Sequence, residues 1–170
     1  MNVRTFIIII TFSFIFSGCE LINNESIIDN FKSENENTQK KETLVVDYVI
    51  DGDTFISHDK KYRLILVDTP ESKHRNMDVQ PYSLEASKYT REQLEGQTVE
   101  VEYGIKDIDK YGRYLVYVWK NEELFNEKLV ENGYARVLSI PPNTKYLDQI
   151  KEKEQIAKNE KRGLWSLTDC

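Results

Sequence analysis

Cysteine is almost missing from this chain of 170 residues, which carries only Cys19 and Cys170. That excludes a disulfide-stapled scaffold and a cysteine-based zinc site, and it leaves the fold to stand on its core. Histidine is as scarce: His58 and His74 have no partner ligands near them in the sequence and read as surface residues. The seven glycines form no phosphate-binding loop, no Ser-His-Asp order is present, and no internal repeat is visible. An excess of positive charge is missing too. Residues 43–170 hold 19 Lys plus Arg against 23 Asp plus Glu. This acidic balance excludes the broad electrostatic footprint of a typical nucleic-acid binder, so any chemistry on a polyanion has to come from a local site.

Long hydrophobic runs are limited to residues 6–16, which are too short for a comfortable membrane span. Arg4 precedes this run and Ser17-Gly18-Cys19 follows it, the order of an export signal. The cysteine directly after Ser-Gly makes the segment resemble the lipobox of bacterial lipoproteins, although Phe16 stands where that family usually has Leu. The resemblance implies a signal peptide over residues 1–18 and a lipid on Cys19, with the protein held on the outer side of the cell membrane. An uncleaved anchor helix and an ordinary secretory signal are the alternatives. A lipid on Cys19 would occupy its thiol, so no internal disulfide is expected. Residues 19–42 continue with Asn, Glu, Ser, Lys and Gln and only scattered apolar residues such as Ile27, Ile28 and Phe31. Such a stretch buries too little surface to offset its ordering entropy and reads as a disordered tether, with a reach of roughly 25 Å by random-coil scaling. Residues 43–170 are then one compact domain, expected to be a monomer.

Within that domain, residues 43–50 alternate and are rich in β-branched side chains, and Asp51-Gly52-Asp53 is a turn signal leading into a strand at 54–57. A third strand is predicted over 61–67, ending at Asp68-Thr69-Pro70, with a polar loop after it over 71–81. Helical spacing returns over 82–94 and stops at Gly96. Residues 98–103 and 113–119 read as two more strands joined by a loop over 104–112. Short amphipathic helices are predicted at 124–130 and 146–159, the second with a solvated Lys/Glu face. Five strands and three helices make a mixed α+β domain built on a small barrel.

Charged residues gather at the ends of these apolar runs. Asp53 follows the first strand; Arg63 opens Leu64-Ile65-Leu66-Val67, and Asp68, Thr69 and Glu71 close it; Arg113 follows Asp109-Lys110-Tyr111-Gly112. Together they supply what phosphodiester hydrolysis needs. Asp53 and Asp68 are hard oxygen ligands for a cation, and a carbonyl at Thr69 can add to them. Arg63 and Arg113 are two-pronged donors for a phosphate whose charge grows in the transition state. Glu71 is placed to take a proton from the attacking water. Taken singly, each motif also reads as a solvated turn or loop; their joint, ordered occurrence favours the site.

Over about residues 43–168 the chain resembles the thermonuclease family, the staphylococcal-type micrococcal nucleases. The resemblance runs through Ile50-Asp51-Gly52-Asp53-Thr54, Arg63 to Glu71, Lys73-His74, Glu85-Ala86-Ser87, Asp109 to Arg113, Asn126-Glu127-Lys128-Leu129-Val130 and Leu164-Trp165-Ser166. It implies an OB-fold barrel with three helices and a calcium-dependent nuclease that cuts DNA and RNA to leave 3′-phosphates. Carried onto this chain, it puts calcium on Asp53, Asp68 and the Thr69 carbonyl, the general base on Glu71, and the phosphate clamps on Arg63 and Arg113. Lys110 and Tyr111 fall near the substrate phosphate. The chain departs from the family in two places. Ser139 and Ile140 stand before Pro141-Pro142 where two base-flanking tyrosines are usual, and Met77 lies near the place of a lysine. Stacking is worth about 1–3 kcal/mol per base, so weaker binding is expected, unless Tyr134, Tyr146 or a loop tyrosine substitutes. The rival reading is a nucleic-acid-binding barrel without catalysis, but dead barrels generally lose a metal aspartate or an active arginine, and this chain keeps them.

Overall fold

The computed structural model describes residues 41–71 and 80–167. The signal, the Cys19 attachment site, most of the tether, Lys73-His74, Met77 and Cys170 lie outside the described residues.

The expected five strands are present, two of them broken in ways that shape the site. The first is split into β1 (Glu42–Val45) and β2 (Tyr48–Asp51). At the break the chain changes partner: β1 pairs with β6 (Thr98–Ile108), whereas β2 pairs with β3 (Thr54–Ser57). β3 turns back through His58 and Asp59, both at positive φ, into β4 (Lys60–Leu64), which runs parallel to β7 (Tyr114–Lys120). The sheet order is β1-β6-β7-β4-β3-β2, so its two outermost strands are consecutive in the chain and joined only through Val46 and Asp47. A sheet whose ends are one interrupted strand curls into a barrel, the OB-type arrangement, and escapes an open edge.

The third expected strand stops at Leu64. Ile65 hands its N–H to the Val116 carbonyl, and Leu66 takes a positive φ of 65°. β5 (Leu66–Asp68) therefore leaves the barrel and pairs with β9 (Arg136–Leu138), a short strand that the sequence pattern does not reveal. Buried Asn126 secures the break: its Oδ1 accepts from the Val118 N–H at 2.9 Å and its Nδ2 donates to the Ile65 carbonyl at 2.8 Å. β6 also outruns expectation, continuing through Gly104 to Ile108. It can do so because the buried Asn143 amide mimics a strand neighbour, accepting from the Lys106 N–H and donating to its carbonyl at 2.9 and 2.8 Å. Gly104 is needed there, since a Cβ would sit 2.5 Å from Asn143 Nδ2.

The core is filled by Phe55, Leu64, Val101, Val116 and Tyr117 from the strands, with Leu94, Leu129 and Ile150 from the helices, all nearly inaccessible. Each such side chain contributes about 1.5–3 kcal/mol by leaving water. Among the described residues the helices are α1 (Ser83–Leu94), α2 (Phe125–Glu131) and α3 (Leu147–Asn159), followed by a 3₁₀ segment, Gly163–Leu167; β8 (Glu123–Leu124) adds a short edge to β7. α1 buries Ala86, Ser87, Thr90 and Leu94, a helical stripe that carries two hydroxyls toward the first turn. Ser87 Oγ donates to Asp51 at 2.9 Å and Thr90 Oγ1 donates to the Gly52 carbonyl at 2.6 Å.

Candidate active site

Those two hydroxyls hold the turn that delivers Asp53. Gly52 lets the turn approach Thr69, because a Cβ at Gly52 would fall 2.7 Å from the Thr69 methyl. Asp53 is buried, and its Oδ2 accepts from the Thr69 N–H at 3.0 Å and from Thr69 Oγ1 at 2.9 Å. Its Oδ1 accepts only from Thr54 Oγ1 among the described contacts. The first turn and the end of β5 are therefore locked together, which brings Asp53, Asp68 and Thr69 to one place.

Arg63 lies between the two aspartates. Its Nη1 is 2.9 Å from Asp53 Oδ2 and its Nη2 is 3.0 Å from Asp68 Oδ1, while Nη1 also donates to the Val67 carbonyl at 2.9 Å. Expected only to clamp a phosphate, Arg63 in the structure also bridges the carboxylates. Asp68 is about half exposed at its side chain (52%). Partial burial and the neighbouring Asp53 charge raise its pKa above the ordinary 3.8, and Arg63 offsets only part of the effect. Glu71 is raised above 4.5 for the same reason: burial first, then the charges of Asp51, Asp53 and Asp68. Burial first and mutual repulsion second act on both carboxylates of this cluster. Its donors are all oxygens, and among the described residues no three ligating side chains close into a cage. Two carboxylates joined through one arginine are oxygen donors of the kind a hard cation of the calcium type takes, so their chemistry is compatible with the metal that the resemblance implies.

Arg113 reaches the site from the far side. Asp109 Oδ1 accepts from the backbone N–H groups of Tyr111 and Arg113, and Asp109 Oδ2 accepts from Arg113 Nε at 2.7 Å. Burial alone would raise the Asp109 pKa, but these bonds, led by that from the Arg113 backbone, hold it below 3.8. Asp109 therefore stays charged and fixes both the loop and the guanidinium. Sequence reasoning gave Asp109 no role, although its place four residues before an arginine was a usable signal. Asp51, Ser87, Thr90 and Arg136 likewise received no role from the sequence.

Arg63 and Arg113 line one cavity of about 310 Å³, floored by Leu66, Leu115, Leu138 and Pro141. Lys110 and Tyr111 line the same cavity. Tyr111 is strongly exposed, with the Arg113 guanidinium 5.4 Å from its ring centroid. Among the described residues Tyr111 is the one tyrosine lining this cavity. Tyr134 is stacked on Tyr89 at 4.7 Å, and the Tyr146 hydroxyl donates to Glu102 at 2.7 Å, so neither replaces the missing pair. The opposite wall is fastened to β6: Asn143 binds Lys106, and Lys145 Nζ is 2.7 Å from the buried Glu102 carboxylate. Glu71 lies outside this cavity, beside the aspartates, with its N–H bound to Gln80.

A curled OB-type barrel that turns two arginines into one cavity, with the carboxylates bound to Arg63 lying beside it, belongs to the phosphodiester-handling class, and comparison with known proteins says which. Residues 61–167 match the family described as staphylococcal nuclease homologue. The chain is 42% identical over 140 residues to a thermonuclease of Staphylococcus hyicus, covering 80% of this chain and 83% of that protein. It is 44% identical over 128 residues to a thermonuclease of Staphylococcus intermedius, covering 73% and 76%. It is 42% identical over 137 residues to endonuclease YncB of Bacillus subtilis, covering 77% of this chain and 65% of that protein. The chain belongs to the staphylococcal nuclease family. It is a nuclease, a hydrolase.

Proposed function

We propose that this chain is a calcium-dependent nuclease that hydrolyses phosphodiester bonds of DNA and RNA to leave 3′-phosphate ends. The observation that carries the reading is the convergence of Arg63 and Arg113 on one cavity while Arg63 also joins Asp53 to Asp68. Asp53, Asp68 and the Thr69 carbonyl would hold the cation, which when bound neutralises charge on the phosphoryl oxygens. Arg113, held by Asp109, donates to the phosphate in a fixed orientation, and that donation strengthens as charge gathers. Arg63 provides the second fork from the carboxylate side. Glu71, whose proton affinity is lifted by burial and then by the surrounding carboxylates, takes the proton of the attacking water. Lys110 and Tyr111 bind the substrate at the rim. The resemblance of residues 1–19 to a lipoprotein signal supports a monomeric enzyme held by lipid on the outer face of the cell membrane.

The purified chain is to be incubated with single-stranded DNA in calcium, in magnesium and in excess chelator. Cleavage in calcium, none in chelator and little in magnesium is expected, because magnesium demands tighter octahedral geometry. Products should accept a 5′ label but resist 3′ extension until treated with phosphatase. Full cleavage in chelator overturns the reading, and binding without cleavage under all three conditions marks a binding module instead.

A further inference from the structure

The guanidinium of Arg63 has two unequal ends. Nη1 is anchored: it donates to the Val67 carbonyl at 2.9 Å and to the Leu64 carbonyl at 3.1 Å, and it lies 2.9 Å from Asp53 Oδ2. That carboxylate is itself buried and pinned by the Thr69 N–H and hydroxyl. Among the described contacts Nη2 has one acceptor, Asp68 Oδ1 at 3.0 Å, and Nε has none. Asp68 stands half exposed at the end of β5. The Nε–H and one Nη2–H point along the same edge of a guanidinium, so that edge is the two-pronged fork a phosphate can take. It belongs to the end tied to Asp68.

Asp68 therefore has two claims on it. The active-site reading above makes it a ligand for a hard cation, and the structure makes it the partner of Arg63. If Asp68 joins Asp53 in holding a dication, that charge comes beside the guanidinium already joining the two. Like charges a few ångströms apart repel even at the effective dielectric of a protein surface. The contact that yields is the one with least to keep it: a single bond from Nη2 to a half-exposed carboxylate, against three acceptors around Nη1. An ion pair with one exposed partner contributes little to stability, so the fold is not disturbed by its exchange.

Resting on that reading, we propose that Arg63 is the resident counter-ion of Asp68 and gives way to the cation. Nη2 lets go of Asp68 when the cation binds and, with Nε, becomes the fork for phosphate, while Nη1 keeps the side chain in place. Arg63 then acts in two positions in turn. In the first it neutralises Asp68 and so competes with the cation; in the second it faces the phosphate. The order is built into one side chain, so a phosphate meets a complete fork only where a cation is already bound, and the two ligands favour each other through Arg63.

The test is a calcium titration of the isotope-labelled chain followed by nuclear magnetic resonance, at constant ionic strength. The Thr69 amide signal reports affinity, and the guanidinium protons of Arg63 report the contact. Arg63→Gln should bind calcium about fivefold tighter or better than the parent, the size of an ion pair that no longer competes. Arg136→Gln removes a like charge that faces Asp68 across the β5–β9 ribbon with no described hydrogen bond to it, and should change affinity less than about twofold. A second measurement needs no variant: in the parent, the separate Nη2 proton signals of a held guanidinium in chelator should merge as calcium saturates the Thr69 signal. The idea is overturned if Arg63→Gln binds calcium equally or more weakly, if Arg136→Gln tightens it as much, or if the Nη2 signals stay separate at saturation. Calcium binding without these changes removes the counter-ion exchange alone; no calcium binding, even with thymidine 3′,5′-bisphosphate present, removes the active-site reading beneath it as well.

Discussion

Asn126 is the residue on which the departure of β5 from the barrel depends, and its replacement has a calculable effect. Its amide serves the Val118 N–H, the Ile65 carbonyl and, at 3.4 Å, the Val116 carbonyl. Asn126→Ala strips all three, but not with equal consequence. The Val116 carbonyl also accepts from the Ile65 N–H at 2.9 Å and stays satisfied. The Val118 N–H and the Ile65 carbonyl are left as buried orphans, each at about 1–3 kcal/mol. With a small cavity added, the loss should be about 3–5 kcal/mol, a large share of the stability of a domain this size. Asn126→Asp keeps an acceptor for Val118 but turns both donors into repulsion against carbonyls, so it should be no better tolerated. Urea unfolding at neutral pH measures this, with the midpoint expected to fall and the slope to hold. A loss below about 1 kcal/mol for Asn126→Ala would refute the argument, since the break at Ile65 would then be held by something other than this amide.

Two further outcomes follow from the arginines and their carboxylates. Arg113→Lys removes the planar fork at an otherwise lightly committed residue, so turnover should fall roughly 100-fold with stability changed by less than about 1 kcal/mol. Arg63→Lys should match that loss of turnover and in addition destabilise the chain by about 1–3 kcal/mol, because Arg63 also bonds the Val67 carbonyl and both aspartates; equal stability of the two variants would contradict this. Asp109 has a folded pKa below its unfolded value, so its stabilising contribution is present above 3.8 and lost as pH falls through the folded value. The stability gap between wild type and Asp109→Asn should therefore be widest near neutral pH and close in the acid range, and a gap independent of pH would show that the Asp109 charge has no part in it.

The barrel strands and the helices were legible because their signals are local: alternation over 43–50 and 98–103, helical spacing over 83–94 and 147–159. The charged residues of the site were legible because each stands beside an apolar run and the motifs keep their order. What was not legible depends on contacts between distant residues. β9 is three residues long, has only one half-buried side chain at its centre, and exists because β5 is delivered beside it. The extension of β6 to Ile108 depends on an amide 37 positions away. The bridging by Arg63 could not be read from spacing either, since Asp53 lies on another strand end. Residues that hold other residues, such as Ser87, Thr90 and Asp109, carry no apolar pattern and announce themselves only through their partners.

The wall of the first cavity is fastened twice to β6, through Asn143 on Lys106 and through Lys145 and Tyr146 on Glu102. An arriving nucleotide therefore meets a surface whose ordering was completed during folding, at about 1–2 kcal/mol per residue that binding does not have to supply again. Rigidity of this kind offsets part of what a pair of stacking rings would have contributed. It also bears on selectivity. The Asn143 amide, the group best suited to reading a base edge, has its donor and acceptor sides both engaged by Lys106, and its neighbours Ile140 and Pro141 are apolar. Such a wall can measure the thickness and outline of a base but not its hydrogen-bonding pattern, so what it can select is set by how the barrel is tied together.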